Sequence, residues 1–184
     1  MTKLLERLRS ETRAQHEAME ALFTLPRSRA EHTRWLERFY GFLEPLEARI
    51  AAVLDGEHPV WRGRRKSIWL RQDLTVLGVD VEKLPRASDL PDLSDDARCF
   101  GALYVFEGAS LGGQVIARHL ETAVGFADGV GYRYYLGYGP ETGRRWQEFR
   151  TLLLTHSSPQ SEDRTIAAAA ETFSTLRTWC ASQP

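Results

Sequence analysis

Residues 99–116 read Cys-Phe-Gly-Ala-Leu-Tyr-Val-Phe-Glu-Gly-Ala-Ser-Leu-Gly-Gly-Gln-Val-Ile, an apolar run with glycines set into it. The run lies inside a stretch from Ser94 to about Val124 that carries the signals of a single helix. Asp95 and Asp96 suit the positive end of a helix dipole, and Gly125 suits a C-terminal cap. Gly108, Gly112 and Gly113 then fall in a helix interior, where together they cost on the order of 2–3 kcal/mol relative to alanine. Something must offset that cost. Gly108 and Gly112 are four residues apart and present bare backbone on one face. Two readings stay open: a flat ligand lies against that face, or another helix crosses closely there.

Working outward, the remaining segments also read as helices. From Lys3 to Phe23, Leu5, Leu8, Thr12, His16, Met19 and Phe23 recur at three- and four-residue steps. Ser28 with Glu31 forms a capping box for a second helix, which Gly56 closes and in which Pro45 predicts a kink. A third helix is expected from about Pro59 to Leu77, stopped by Gly78, and residues 79–93 with Pro85 and Pro91 form a loop. The glycine- and tyrosine-rich run 125–139 reads as an irregular connection. A fifth helix starts at Pro140 and reaches His156, and a sixth starts at Ser158-Pro159 and reaches Cys180. No segment alternates apolar and polar residues long enough to be a strand. The expected fold is all-α: one multi-helical bundle forming a single domain over residues 1–184.

Composition narrows the function. Of 184 residues, 42% are hydrophobic, enough for a packed core, and the net charge of −1 argues against gripping nucleic acid phosphates. Cys99 and Cys180 have neither CxxC nor zinc spacing, which fits a reducing cytoplasm. The N-terminus has no apolar core of a secretory signal, and no stretch is long enough for a membrane span. GxGxxG and P-loop patterns are absent.

His16 is the second feature that asks for an explanation. It sits on the apolar stripe of the first helix, with Arg9 and Arg13 before it and Glu20 one turn after it. A neutral imidazole can give one nitrogen to a metal while a carboxylate holds the other. The plainer reading is a core-boundary histidine with a helical partner.

Taken in order, these residues resemble the haem oxygenase family. The run Leu8-Arg9-Ser10-Glu11-Thr12-Arg13-Ala14-Gln15-His16 is similar to the family's proximal helix. Phe39-Tyr40-Gly41-Phe42-Leu43 through Leu46-Glu47 is similar to its second helix, Tyr104 through Val115 to its distal helix, and Ala170-Glu171-Thr172-Phe173 to its last helix. Gly137-Tyr138-Gly139-Pro140-Glu141-Thr142-Gly143, followed by Trp146 and Phe149, resembles bacterial members associated with bacteriophytochromes.

The resemblance implies roles. His16 matches the axial ligand of haem iron, and Glu20 the acid that orients it. Gly108 and Gly112, with Gly113, match the distal glycines that let backbone approach the haem face. Arg9 and Arg150, or Arg145 nearby, match cations that hold haem propionates. Tyr40 matches a tyrosine of the distal hydrogen-bond network, and Phe173 an aromatic lining the pocket. One departure is plain: many members carry aspartate directly after the first distal glycine, where it orders water on the oxygen-binding side, and here that residue is Ala109. Ser110 lies about 100° further round the helix.

The implied activity is oxidative opening of haem at a meso carbon to biliverdin, ferrous iron and carbon monoxide, with electrons from a ferredoxin or an NADPH-dependent reductase. A bacteriophytochrome would be the acceptor of biliverdin. A non-catalytic haem carrier is the first alternative, and Ala109 favours it. A non-haem di-iron oxidase is the second, but no histidine has glutamate three residues earlier. A helical interaction module is the third. It would use Arg62, Arg64, Arg65 and Lys66 as a docking patch, where the plainer reading is a solvated face.

Overall fold

The structure, a computed structural model, describes residues 3–183. Eight α-helices follow one another: α1 (Lys3–Glu11), α2 (Arg13–Leu22), α3 (Arg29–Val53), α4 (Ser67–Val76), α5 (Asp96–His119), α6 (Arg133–Leu136), α7 (Thr142–His156) and α8 (Glu162–Ser182). Among the described residues there is no strand.

The expected first helix is divided into α1 and α2 at Thr12. The Thr12 hydroxyl is buried and donates to the Leu8 carbonyl at 2.7 Å, a back-bond that bends helices. The backbone ladder nevertheless runs through, from Thr12 N to Leu8 O and from His16 N to Thr12 O. Ser28 caps α3 by accepting from Glu31 N at 3.2 Å, but the Glu31 carboxylate turns to the Arg27 backbone N–H instead of completing the box.

Pro45 sits inside an uninterrupted α3. Its missing N–H frees the Gly41 carbonyl one turn earlier. Ala87 N donates to that carbonyl at 2.9 Å, which docks the 79–93 connection onto α3. The approach is close: a Cβ on Gly41 would stand 2.6 Å from the Pro85 carbonyl and 2.7 Å from the Trp179 ring.

The third expected helix is shortened. Residues 59–63 form turns, with Gly63 at φ +70°, residues 64–66 are irregular, and α4 starts only at Ser67. The reason is a cap from another helix. The buried Glu47 of α3 accepts from Lys66 N at 2.6 Å and from the Ser67 hydroxyl at 2.5 Å. A second remote cap creates α6 inside the expected irregular connection. There the buried Asp73 of α4 accepts from Arg133 N at 2.7 Å and from Tyr134 N at 2.8 Å.

Asp95 caps α5 by accepting from Arg98 N at 3.0 Å. The last turn, Leu120–Val124, widens to a π-helix before Gly125 takes φ +83°. Pro140 belongs to a 3-10 turn that leads into α7, and α8 starts four residues after Ser158. The core gathers Leu8, Leu36, Phe42, Leu46, Phe100 and Phe149. α5 packs closely on α8 at Gly101, where a Cβ would overlap the Thr165 carbonyl oxygen and stand 2.9 Å from Ala169 N.

Candidate functional site

On α2, the His16 side chain is 53% exposed, and its Nδ1 stands 3.4 Å from a Glu20 carboxylate oxygen. Its ring meets Phe173 of α8 edge-on, with centroids 5.5 Å apart and planes at 83°. The imidazole is thus flanked on two sides, by a carboxylate and by a ring. A proton on Nδ1, facing Glu20, leaves the Nε2 lone pair open to a metal.

On α5, the overlapping three- and four-residue spacings of Tyr104, Gly108, Leu111, Gly112 and Val115 put them on one face. Leu111 is 46% and Val115 68% exposed, unusual for an apolar pair one turn apart. A Cβ on Gly112 would meet nothing within 4 Å, and one on Gly108 would meet only the Trp146 ring, at 3.8 Å. These two glycines therefore do not serve a tight helix crossing. Gly113 does. A Cβ there would overlap the Tyr135 carbonyl oxygen and stand 3.1 Å from its carbon, so Gly113 packs α5 against α6 and leaves the expected ligand face.

Arg9 and Arg150 both bear on Tyr104. Burial raises the Tyr104 phenol above its ordinary pKa, and these two guanidinium groups pull it back. Tyr104 packs against Trp146, whose ring also reaches the Gly108 position. Arg9 lies two turns before His16 on the continuous ladder of α1 and α2, so it connects the histidine's helix with the glycine helix. Among the described residues Arg150 is hydrogen-bonded within α7, to Gln147 at 3.2 Å. Arg145 is committed elsewhere: it donates to the Gly63 carbonyl at 3.0 Å and pairs with Glu148 at the same distance. Of the two alternatives on α7, Arg150 is the one that faces this region.

Tyr40 is not part of this group. Its ring is buried under Arg86, and its hydroxyl accepts from Arg71 Nε at 3.3 Å, on the side where α3 meets α4. The tyrosine that shares the glycine face is Tyr104. The sequence signal was its spacing, four residues before Gly108. Ala109 is exposed, and Ser110 donates back to the Phe106 carbonyl at 3.2 Å, so it does not stand in for an aspartate.

The basic run 62–66 is not a uniformly solvated face. Arg62 and Arg65 are exposed, but Arg64 and Lys66 are 1% and 3% exposed. Both reach Glu107, itself 1% exposed: Arg64 Nη1 to Oε2 at 2.7 Å and Lys66 Nζ to Oε1 at 2.5 Å. Lys66 also donates to the Tyr138 hydroxyl, which lies 2.8 Å from Glu107 Oε1 and donates to it. The only trace of this in the sequence is a lone carboxylate between Phe106 and Gly108 in an apolar run.

A surface groove of about 670 Å³ is lined by Gln114, Arg133, Leu136, Tyr138, Gly139 and Pro140. A smaller concavity of about 200 Å³ beside His16 and Phe173 is lined by Ala14, Gln15, Ala18, Ser174 and Arg177. Neither includes Gly108 or Gly112, whose face is open to solvent. Among the described residues no three His, Cys, Asp or Glu side chains gather as a metal site. No helix of the described residues is long and apolar enough to cross a membrane. A half-exposed, clamped imidazole, an uncovered apolar stripe with two bare backbone positions, and two arginines at its edge suit a flat, apolar, dianionic metal macrocycle.

Comparison with known proteins shows the family. The family model described as Heme oxygenase matches residues 2–182. A Heme oxygenase of Xanthomonas campestris pv. campestris is 35% identical over 145 residues, covering 78% of this chain and 82% of that protein. The solved heme oxygenase of Leptospira interrogans superposes with a TM-score of 0.79 at 17% identity, covering 99% of this chain and 100% of the other. The NO- and CO-bound heme oxygenase of Neisseria meningitidis gives 0.74 at 19%, covering 98% and 94%. The chain belongs to the haem oxygenase family.

Proposed function

We propose that this chain holds haem between α2 and α5, with His16 as the iron's protein ligand, and opens it to biliverdin. The observation that carries the reading is the pairing of a half-exposed imidazole, flanked by Glu20 and Phe173, with a glycine face that among the described residues only the Trp146 ring borders, at Gly108. Haem supplies the redox chemistry when bound, and with O2 and external electrons its products are biliverdin, ferrous iron and carbon monoxide.

The protein's own residues bind, orient and restrict. Glu20 fixes the tautomer of His16, and Phe173 fixes its plane. Gly108 and Gly112 let the α5 backbone come close to the macrocycle where any side chain would hold it away. Leu111 and Val115 cover its apolar edge. Arg9 and Arg150, both close enough to act on Tyr104, hold its carboxylates. They thereby fix the rotation of the ring and the edge presented to oxygen. Electrons come from a ferredoxin or an NADPH-dependent reductase. The 137–143 run supports a bacteriophytochrome as the acceptor of biliverdin.

A second reading rests on Ala109. Without a carboxylate beside Gly108 to order water, the same site would carry haem without degrading it. One experiment separates the two: load the protein with haem, add ascorbate or a ferredoxin system under air, and record the spectrum. Replacement of the Soret band by a verdin band supports the enzyme. An unchanged Soret band through many equivalents of reductant supports the carrier and overturns the proposal.

A further inference from the structure

α5 packs closely through glycine on either side of Gly108 and Gly112, at Gly101 on α8 and at Gly113 on α6. Between these points the face at Gly108 and Gly112 has almost no protein neighbour. What holds the backbone there comes from the flank: Glu107, directly before Gly108, bonded to Arg64, Lys66 and Tyr138.

Stability alone does not explain such a cluster. Buried ion pairs often do no better than apolar residues of the same volume, and here two buried cations share one buried carboxylate, with the part-exposed Glu148 standing 3.9 Å from Arg64 Nη2. The cluster also leaves the buried Arg64 Nε without an acceptor among the described residues. What a buried charged cluster can do well is define one register. The segment that supplies it is itself fixed. Lys66 N bonds Glu47 of α3, and the Gly63 carbonyl bonds Arg145 of α7. An unbroken line of bonds therefore runs from α3 through Glu47 and Lys66 to Glu107.

We propose that Lys66, Arg64 and Tyr138 are positioning residues. Through Glu107 they hold the α5 backbone at Gly108 at one height above the haem face, and so help choose the meso edge that reacts. The second half of this rests on the functional reading above. The first half does not, because it concerns the apoprotein.

Lys66→Met tests both halves, since it leaves a balanced Arg64–Glu107 pair that can stay buried. Tyr138→Phe is the milder companion and removes only the bridging hydroxyl. Hydrogen–deuterium exchange on the apoprotein should show amides 107–113 opening roughly tenfold faster in Lys66→Met. Amides of α8 should be unchanged, and Lys66→Arg should recover most of the difference. In the haem-loaded protein the ratio of biliverdin isomers should shift relative to the parent. Unchanged exchange at 107–113 in both folded variants would overturn the tether. Faster exchange with an unaltered isomer ratio would overturn its role in choosing the edge. A parent protein that failed to bind haem would sink the functional reading while leaving the exchange result to decide the tether.

Discussion

Gly112 and Gly113 are neighbours on one helix, and adding a single methyl group to each should have opposite effects. At Gly112 the new Cβ has open space, so Gly112→Ala brings only the gain in helix propensity, about 0.5–1 kcal/mol. For a domain of this size that is roughly 1–4 °C in apoprotein Tm. At Gly113 the Cβ would overlap the Tyr135 carbonyl oxygen, which is held in the backbone of α6 and cannot swing aside. Relief requires α6 to move away from α5, an overpacking cost of about 1–3 kcal/mol that the propensity gain only partly offsets. Gly113→Ala should therefore lower the apoprotein Tm. With haem in the proposed site the order reverses: the methyl at 112 would stand on the face assigned to the macrocycle, so Gly112→Ala should weaken haem binding roughly tenfold or more. The assays are differential scanning calorimetry of both apoproteins and haem titration followed at the Soret band. The reasoning is refuted if Gly112→Ala is destabilised as apoprotein, or if it binds haem as tightly as the parent.

Two further outcomes follow from the same geometry. Burial raises the Asp73 carboxyl to about 6, against the pull of its two backbone N–H bonds. The folded state then holds this proton more tightly than the unfolded chain. Its contribution to stability falls as pH rises from about 4 to about 6, by at most about 3 kcal/mol. Asp73→Asn should flatten that window in a plot of Tm against pH, and parallel curves for the two proteins would contradict it. Arg150→Ala should raise the haem Kd roughly tenfold with little change in apoprotein Tm. Arg145→Ala, which loses the Gly63 carbonyl, should lower Tm and leave the Kd near the parent's; calorimetry and haem titration on both variants check this.

What could be read from the chain was local and periodic. The helical stripes, the Ser28 cap, the Gly125 stop and the His16–Glu20 spacing depend on residues within a turn or two of each other. Periodicity also put Gly108 and Gly112 on one face, but it could not say what lies across from a face. Gly113 and Gly101 look the same in sequence and turn out to be packing contacts with α6 and α8. Distant partners were out of reach altogether. Glu47 and Asp73 cap helices 20 and 60 residues away, and without them α4 and α6 have no visible start. Lys66 reads as one more cation in an exposed run because its carboxylate stands 41 positions later. Tyr40 fitted a distal role by resemblance, yet its hydroxyl is taken by Arg71 on another side of the bundle.

The claim on which all of this turns is that His16 is the one protein ligand of haem iron. Replacing it by alanine and titrating haem into the variant, beside the parent, tests this most directly. The account predicts that the parent's Soret and visible bands are lost or displaced in His16→Ala, and that added imidazole restores them. A variant whose haem spectrum and affinity match the parent's, with imidazole adding nothing, would contradict it.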